Sequence, residues 1–137
     1  MKYLVKVPIN GFETADEVEV KKIDNVFATM TLQVKNSKDE AKLTLVDPYQ
    51  LDSKYSFEIP IAIKTLLDIS EESELSIYLA VVLQQPIEGS IVNFRAPFVF
   101  NNKTGKMAQV IFSTKQEPNY KIDATLREYI EKEKIEL

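Results

Sequence analysis

The stretch from Val92 to Phe112, VNFRAPFVFNNKTGKMAQVIF, contains the pattern that decides the fold class of this chain. From Val92 to Phe100 every second side chain is apolar, and this period of two is typical of a β-strand with one buried face. Pro97 interrupts the run, and because proline cannot donate to a ladder, it predicts a sheet edge or a bulge. Residues 101–105 then predict a hairpin turn in which Gly105 adopts a positive φ.

Aromatic side chains dominate the buried face predicted for this stretch. We expect them to share one continuous apolar face, which belongs to the core. Asn93 and Arg95 lie on the opposite face, where they could either contact a ligand or serve the fold, with Arg95 paired to a carboxylate across the sheet. The four aromatic residues are Phe94, Phe98, Phe100 and Phe112.

Six further segments alternate in the same way and predict strands. From Val26 to Val34 the even-numbered side chains are apolar, which indicates one buried face. The segment LSIYLAVVL, from Leu75 to Leu83, is largely apolar on both faces and predicts a central strand covered on both sides. The six predicted strands lie within residues 3–9, 17–23, 26–34, 41–46, 55–59 and 75–83.

Two segments depart from this period and predict helices. Between Ile61 and Ile69 apolar residues stand three and four positions apart, as on one face of a short helix. The end of the chain, about residues 123–136, predicts an amphipathic helix. An isolated helix of this length is marginal in water, so we expect it to dock on the protein's own sheet. Its apolar stripe consists of Ile122, Leu126, Tyr129 and Ile130.

Together these elements predict an all-β fold. We expect a small closed or partly open antiparallel β-barrel or sandwich, with one short inserted helix and a C-terminal helix. The chain has 137 residues, of which 45% are hydrophobic and 28% charged, and this composition is typical of one soluble domain with its own core. We therefore predict a single domain spanning residues 1–137.

Composition also limits the chemistry that the chain can perform. It has no cysteine and no histidine, which removes thiolate sites, the commonest metal ligand and the usual general base near neutral pH. Its net charge of −4 disfavours direct binding of nucleic acid. Lys6 and Pro8 interrupt the N-terminal apolar run that a signal peptide needs, so we expect a cytoplasmic location. We predict no enzyme activity, cofactor, metal, membrane contact or small-molecule substrate.

Two other functional classes are compatible with parts of the sequence. Thirteen Phe and Tyr residues could form the stacking platform of an OB-like barrel that binds a small ligand or single-stranded nucleic acid. Two carboxylates could act as the acid and base of a hydrolase. We expect the aromatic residues to be core and the carboxylates to be a solvated face. The acidic clusters are Asp16, Glu17 and Glu19, and Glu71, Glu72 and Glu74.

Four short motifs follow one another along the chain. The first is GFE at Gly11 to Glu13, and the second is LVDPYQLDSKYSFEIP from residue 45. The third is LAVVLQQPIEGSIVNF, and the fourth is the opening stretch with its Asn-Phe-Arg-Ala-Pro segment and Gln-Val strand. In this order they resemble the motifs of the flagellar assembly factor FliW family, and the resemblance covers about Lys2 to Ser113. The last 21 residues, EPNYKIDATLREYIEKEKIEL, differ from the closing segment of many members.

The resemblance implies a non-enzymatic regulator of translation. Members of the family bind CsrA, a small dimeric RNA-binding repressor, and relieve its repression of flagellin messenger RNA. They also bind flagellin, and its secretion frees them for CsrA, which makes the mechanism a partner switch. An acidic protein that approaches a basic, RNA-binding partner also gains in encounter rate and orientation.

The predicted partner-binding residues lie in two parts of the sequence. Phe12 and Glu13 are candidates because a phenylalanine in a turn has no alternating core position to occupy. Asn93, Arg95, Pro97 and the turn residue Asn101 come from the stretch that resembles the family most clearly.

Overall fold

The structure is a computed structural model that describes residues 1–34, 36–113, 115 and 119–133. These residues form nine strands, three α-helices and one 3-10 turn (Ile87–Gly89). The strands are β1 (Lys2–Val5), β2 (Glu17–Lys22), β3 (Phe27–Gln33), β4 (Glu40–Val46), β5 (Leu75–Val82), β6 (Ile91–Val92), β7 (Phe98–Asn101), β8 (Lys106–Gln109) and β9 (Ala124–Thr125). The helices are α1 (Pro48–Leu51), α2 (Ile61–Leu66) and α3 (Leu126–Glu133).

Seven of the strands close into a barrel in the order β4-β3-β2-β1-β8-β7-β5, and a further pairing of β5 with β4 completes the ring. β6 and β9 continue the sheet beyond β5. Neighbouring strands are antiparallel except β1 and β8, which run parallel with Leu4 opposite Lys106. The all-β prediction is confirmed in its closed form, with one parallel pair that the sequence did not indicate.

The interior core fills the barrel, and alternation along the strands determines which side chains belong to it. On β3, residues Ala28, Met30 and Leu32 are buried while their neighbours are half-exposed. The rings of Tyr3 and Phe100 meet inside with centroids 4.8 Å apart. The buried interior core comprises Tyr3, Ile9, Ala15, Val18, Ala28, Met30, Leu32, Leu45, Phe98, Phe100 and Met107.

The outer core lies on the other face of β5, β7 and β8, beneath the helices and the segment after α1. Tyr55 is central to it, since its ring contacts the rings of Phe57 and Phe94 and its buried hydroxyl donates to Phe94 O at 2.8 Å. The buried outer core comprises Val46, Leu51, Tyr55, Leu67, Leu79, Val81, Val92, Phe94, Val99, Ala108, Val110, Phe112, Ala124 and Leu126.

The strand predicted from Val92 to Phe100 is wrong as one continuous element. β6 and β7 pair with the same edge of β5, with Val92 opposite Val81 and Phe98 opposite Tyr78. Between these pairs, two residues of β5 face the five residues 93–97, so the chain leaves the ladder in a turn. This excursion is the bulge that Pro97 predicts, and the hairpin from Asn101 to Lys106 is confirmed, with Gly105 at φ +69°.

The excursion also divides the predicted aromatic face. All four phenylalanines are buried, as expected, but Phe94 and Phe112 belong to the outer core while Phe98 and Phe100 belong to the interior core. The turn at residues 93–97 rotates the chain between these pairs of phenylalanines. A period of two counted across the turn therefore assigns all four side chains to one face, although they lie on two different faces of the sheet.

The strand predicted for residues 55–59 is also wrong. Tyr55 and Phe57 do pack into the outer core, but none of the strands formed by the described residues pairs with the segment. Instead Tyr55 N donates to Asp52 O at 3.0 Å, which closes a turn after α1. Alternation indicates which side chains are buried, and it carries no information about the availability of a pairing edge.

Both predicted helices are present. The C-terminal helix begins at Leu126 rather than near residue 123, because Ala124 pairs with Val92 and the chain is a strand there. The predicted end near residue 136 lies outside the described residues. The helix docks on the outer core as expected, with Leu126 buried and the ring of Tyr129 stacked on Phe94 at 4.8 Å. Ile122 does not belong to its stripe and is 60% exposed.

Candidate protein-binding groove

A groove of about 480 Å³ lies at the end of the barrel where the excursion of residues 93–97 leaves the sheet. Three of the residues predicted from the sequence, Phe12, Asn93 and Arg95, line this groove together, although Phe12 lies more than 80 positions before the other two in the chain. We name it the excursion groove. Its lining comprises Ile9, Asn10, Phe12, Leu43, Ala80, Asn93, Arg95, Ala96, Phe98, Gln109, Ile111, Phe112 and Ile122.

Hydrogen bonds hold the excursion in a fixed shape. Asn93 Oδ1 accepts from Arg95 N at 3.0 Å, which closes a turn of the kind that asparagine favours. Arg95 O accepts from Phe112 N at 3.0 Å, and Pro97 O accepts from Val110 N at 2.8 Å. The excursion therefore pairs with the continuation of β8 and presents its side chains from a rigid backbone.

The Arg95 side chain forms one hydrogen bond with the described residues. Its Nε donates to Tyr120 O at 2.6 Å, and the residue is half-buried. Within the described part of the chain, no carboxylate forms an ion pair with the guanidinium, so the cross-sheet pair weighed from the sequence is not formed. The remaining N–H groups of the fork are available to a carboxylate or carbonyl of a partner.

Phe12 lies on a tight turn that projects it toward the groove. Phe12 N donates to Ile9 O at 2.8 Å, and Gly11 at φ +86° provides the left-handed conformation that the turn requires. The ring is half-buried against the interior core, so it is partly core and partly surface. Glu13 is exposed, and its carboxylate accepts from Gly11 N at 2.6 Å, which braces the same turn.

Pro97 and Asn101 are buried and lie outside the exposed surface of the groove. Asn101 Nδ2 donates to Leu67 O at 2.9 Å, and its Oδ1 accepts from Lys103 N at 3.0 Å. The side chain thus ties the β7–β8 hairpin to the end of α2. A direct partner contact by Pro97 or Asn101 stays a prediction that their burial does not favour.

The sequence pattern missed the apolar rim of the groove. Ile111 and Ile122 are each 60% exposed, and Gln109 fixes the neighbouring loop by accepting from Asn10 N at 3.1 Å. The available signal for Ile111 was its position between Val110 and Phe112, since three apolar residues in a row cannot all point into one core.

Shifted pKa values fall outside the excursion groove. Burial raises the pKa of the Tyr129 phenol to about 12, and the adjacent Glu128 carboxylate adds to this rise. Burial also raises the pKa of Asp47, against the opposing effect of its hydrogen bond from Tyr49 N.

No cluster of three potential metal ligands occurs among the described residues. In the same part of the chain, no helix is both long and apolar enough to span a membrane. The groove is suited to non-covalent contact with an apolar surface that carries an acceptor for Arg95.

Residues 2–126 match the family model described as FliW protein. The chain belongs to the FliW family. It is 42% identical over 134 residues to flagellar assembly factor FliW 1 of Helicobacter pylori strain HPAG1, an alignment that covers 98% of each chain. It is 38% identical to flagellar assembly factor FliW of Sulfurimonas denitrificans over 96% of this chain and 100% of that one.

The fold of this FliW protein is also that of a solved relative. A crystal structure of the flagellar assembly factor FliW superposes with a TM-score of 0.76 at 22% identity, covering 91% of this chain and 84% of that one. The family assignment inferred from four motifs is therefore confirmed. The matches also extend past Ser113, to residue 126 in the family model and to nearly the whole chain in the Helicobacter relative.

Proposed function

We propose that this FliW protein binds CsrA and thereby relieves its repression of flagellin messenger RNA, and that flagellin competes for the protein in a partner switch. The observation that carries the proposal is the excursion groove, in which Phe12, Asn93 and Arg95 meet in a chain of the FliW family. Its rim carries exposed apolar side chains, Arg95 contributes a guanidinium to its lining, and hydrogen bonds hold its backbone. The action is non-enzymatic and takes place in the cytoplasm.

Two physical features support a protein partner. Exposed Ile111 and Ile122 flank the groove, and an apolar rim of this kind is typical of surfaces that become buried on association. Arginine in the centre of such a patch is enriched among residues that contribute most of the binding energy. The net charge of −4 adds long-range attraction to a basic RNA-binding protein.

The first experiment is calorimetry of the purified protein against CsrA and against flagellin from the same cell. We expect saturable binding to both and displacement of one by the other. Absence of heat with either partner at micromolar concentrations would refute the proposal.

A matched pair of variants tests the site. Ile111→Glu places a charge on the rim and should weaken partner binding at least about tenfold, since burying an unpaired charge is costly. Ile23→Glu makes the same change at a residue of equal exposure, 60%, outside the groove, and should leave affinity unchanged. Equal effects of the two substitutions would show that the groove is not the binding surface.

Arg95 is tested against the other arginine of the chain, Arg127, which is exposed on α3. Arg95→Ala should weaken binding about tenfold, and Arg127→Ala should not. Since Arg95→Ala also removes the bond to Tyr120 O, the melting temperature is measured in parallel. If the affinity of Arg95→Ala falls only together with its melting temperature, Arg95 stabilises the fold and does not contact the partner.

A further inference from the structure

A second cavity lies beside the N-terminal half of β5, and it shares no lining residue with the excursion groove. Its volume is about 480 Å³. Its lining includes Leu75–Tyr78 of β5 together with Phe57 and Ile59, and Asp47 and Tyr49 also contribute. We name this cavity the β5 slot.

The β5 slot contains an unpaired strand edge. Asn102 N donates to Glu74 O at 2.8 Å, so the even-numbered residues of β5 exchange hydrogen bonds with β7. The N–H and C=O groups of Leu75 and Ile77 consequently point to the opposite edge. β4 covers that edge only from Leu79 onward, because β4 ends at Val46.

The other wall is also unpaired. Residues 57–59 belong to no helix or strand, and no hydrogen bond from their N–H groups occurs in the described part of the chain. The slot therefore presents open backbone groups on the β5 side and a segment outside any ladder nearby. Such an edge is the usual site at which an extended peptide adds a strand.

The side chains of the slot indicate the charge of its occupant. Asp47 Oδ1 caps α1 by accepting from Tyr49 N at 2.9 Å, and the carboxylate forms no ion pair with the described residues. Tyr49, Phe57 and Tyr78 line the same cavity, and aromatic rings beside a carboxylate favour a cation. Lys22 also lines the cavity with its side chain exposed to solvent, and its positive charge acts on the Asp47 carboxylate without forming an ion pair.

We propose that the β5 slot binds an extended peptide segment of a partner protein, which adds a strand to β5 at Leu75 and Ile77 and places a Lys or Arg side chain against Asp47. This site is independent of the excursion groove, so the protein can hold two segments at once. Binding at one site does not require that the other be intact.

The test uses the peptide acetyl-TVRVT-amide, with acetyl-TVEVT-amide as its charge-reversed control. In amide-resolved NMR titrations of the full chain, the arginine peptide should give saturable shifts at Leu75 and Ile77. The glutamate peptide should bind about tenfold more weakly, because it replaces a charge-assisted contact with a repulsion. Acetyl-TPRPT-amide lacks the N–H groups of its second and fourth residues, and because proline is not accommodated within a ladder, this peptide should not produce these shifts.

Two variants separate the carboxylate from general electrostatics. Asp47→Asn keeps the helix cap and should abolish the preference for the arginine peptide. Glu58→Gln removes the same charge from an exposed residue next to the slot and should preserve that preference. Ile111→Glu, in the excursion groove, should leave peptide binding intact, which keeps this test separate from that of the proposed function.

Three results would overturn the proposal. The first is the absence of shifts at Leu75 and Ile77 at millimolar peptide. The second is equal affinity for the two charged peptides. The third is a concentration dependence of these amides without any peptide, which would assign the slot to a second copy of the chain.

Discussion

The interior core and the outer core contain similar side chains, but they come from different sequence patterns. Interior residues such as Met30 and Leu32 alternate with half-buried neighbours along β3, which pairs with β2 and β4 along its length. Outer residues such as Tyr55 and Leu67 come from turns and short helices and depend on contacts between distant segments. A sheet face closed on itself is encoded locally, whereas the layer that covers its outside is assembled from several separate parts of the chain.

The largest expected effect is in the interior core. Phe100→Ala should lower the free energy of unfolding by about 3–5 kcal/mol, because it leaves a cavity next to Tyr3 that a closed barrel cannot collapse. Urea denaturation followed by circular dichroism measures the loss. Ile122→Ala, at an exposed residue, is the control and should change stability by less than about 0.5 kcal/mol. A small loss for Phe100→Ala would mean that the interior can repack.

A second substitution removes the contact that joins the β7–β8 hairpin to the end of α2. Asn101→Ala should cost about 1–3 kcal/mol, because it removes the acceptor of Lys103 N and one donor to Leu67 O, which retains its bond from Thr104 Oγ1 at 3.0 Å. Asn101→Asp retains the acceptor for Lys103 N and replaces the donor to Leu67 O with a buried carboxylate oxygen, so its additional cost falls on the contact with α2. Hydrogen exchange should then show faster exchange around α2 than in β3. Uniform acceleration would indicate that the tie stabilises both regions equally.

The outer core can be weakened alone. Tyr55→Phe removes a hydroxyl and leaves Phe94 O unsatisfied, which should cost about 1–2 kcal/mol. Since Phe94 also stacks on Tyr129, we expect α3 to lose protection from hydrogen exchange before the barrel does. Tyr49→Phe is the matched control, because that tyrosine is 42% exposed and lies outside the buried outer core. Simultaneous loss of protection in α3 and β3 would contradict the separation of the two cores.

The smallest expected effect depends on pH. Burial raises the pKa of Asp47 in the folded state, so the native protein binds this proton more tightly than the unfolded chain does. The stability that this gives the folded state is fully present below the pKa that Asp47 has in the unfolded chain. It is lost as the pH rises through the pKa that Asp47 has in the folded protein. Asp47→Asn removes that loss and should be the more stable protein at pH 7, by less than about 0.5 kcal/mol, since solvent screens the half-exposed group.

Thermal melts of both proteins between pH 3 and pH 7 test this prediction. The gap in melting temperature should widen in favour of Asp47→Asn as pH increases. A gap that is constant with pH would show that Asp47 is equally solvated in the folded and unfolded states.

The same contrast explains how much of the molecule the sequence pattern could predict. β3 was predicted at residues 26–34 and is found at Phe27–Gln33, because its alternation is local and both its neighbours pair with it. Residues 55–59 show the same alternation, but whether they pair depends on where β4 ends relative to β5. The position at which β4 ends along β5 is determined by closure of the barrel, and a pattern of five residues contains no information about it.

The candidate site divides in a similar way. Phe12 was predicted as a contact because it lies in a turn, where no period-two pattern places its side chain in the core. In the structure it lines the excursion groove. Ile111 and Ile122 were not predicted, since their exposure results from the turn at residues 93–97 and from the start of α3 at Leu126. Motif resemblance indicated the region of the site, and only the three-dimensional arrangement indicated its rim.

The parallel pairing of β1 with β8 has a consequence for synthesis of the protein. Leu4 pairs with Lys106, so the first strand must wait for a partner about 100 residues later before the ring can close. Such non-local closure slows folding, because chain entropy is lost before the contact is gained. The excursion groove needs both Phe12 and Ile122, so it cannot form until Ile122, 110 positions after Phe12, has been synthesised. We therefore expect the groove to form late in folding, in the same step as closure of the ring.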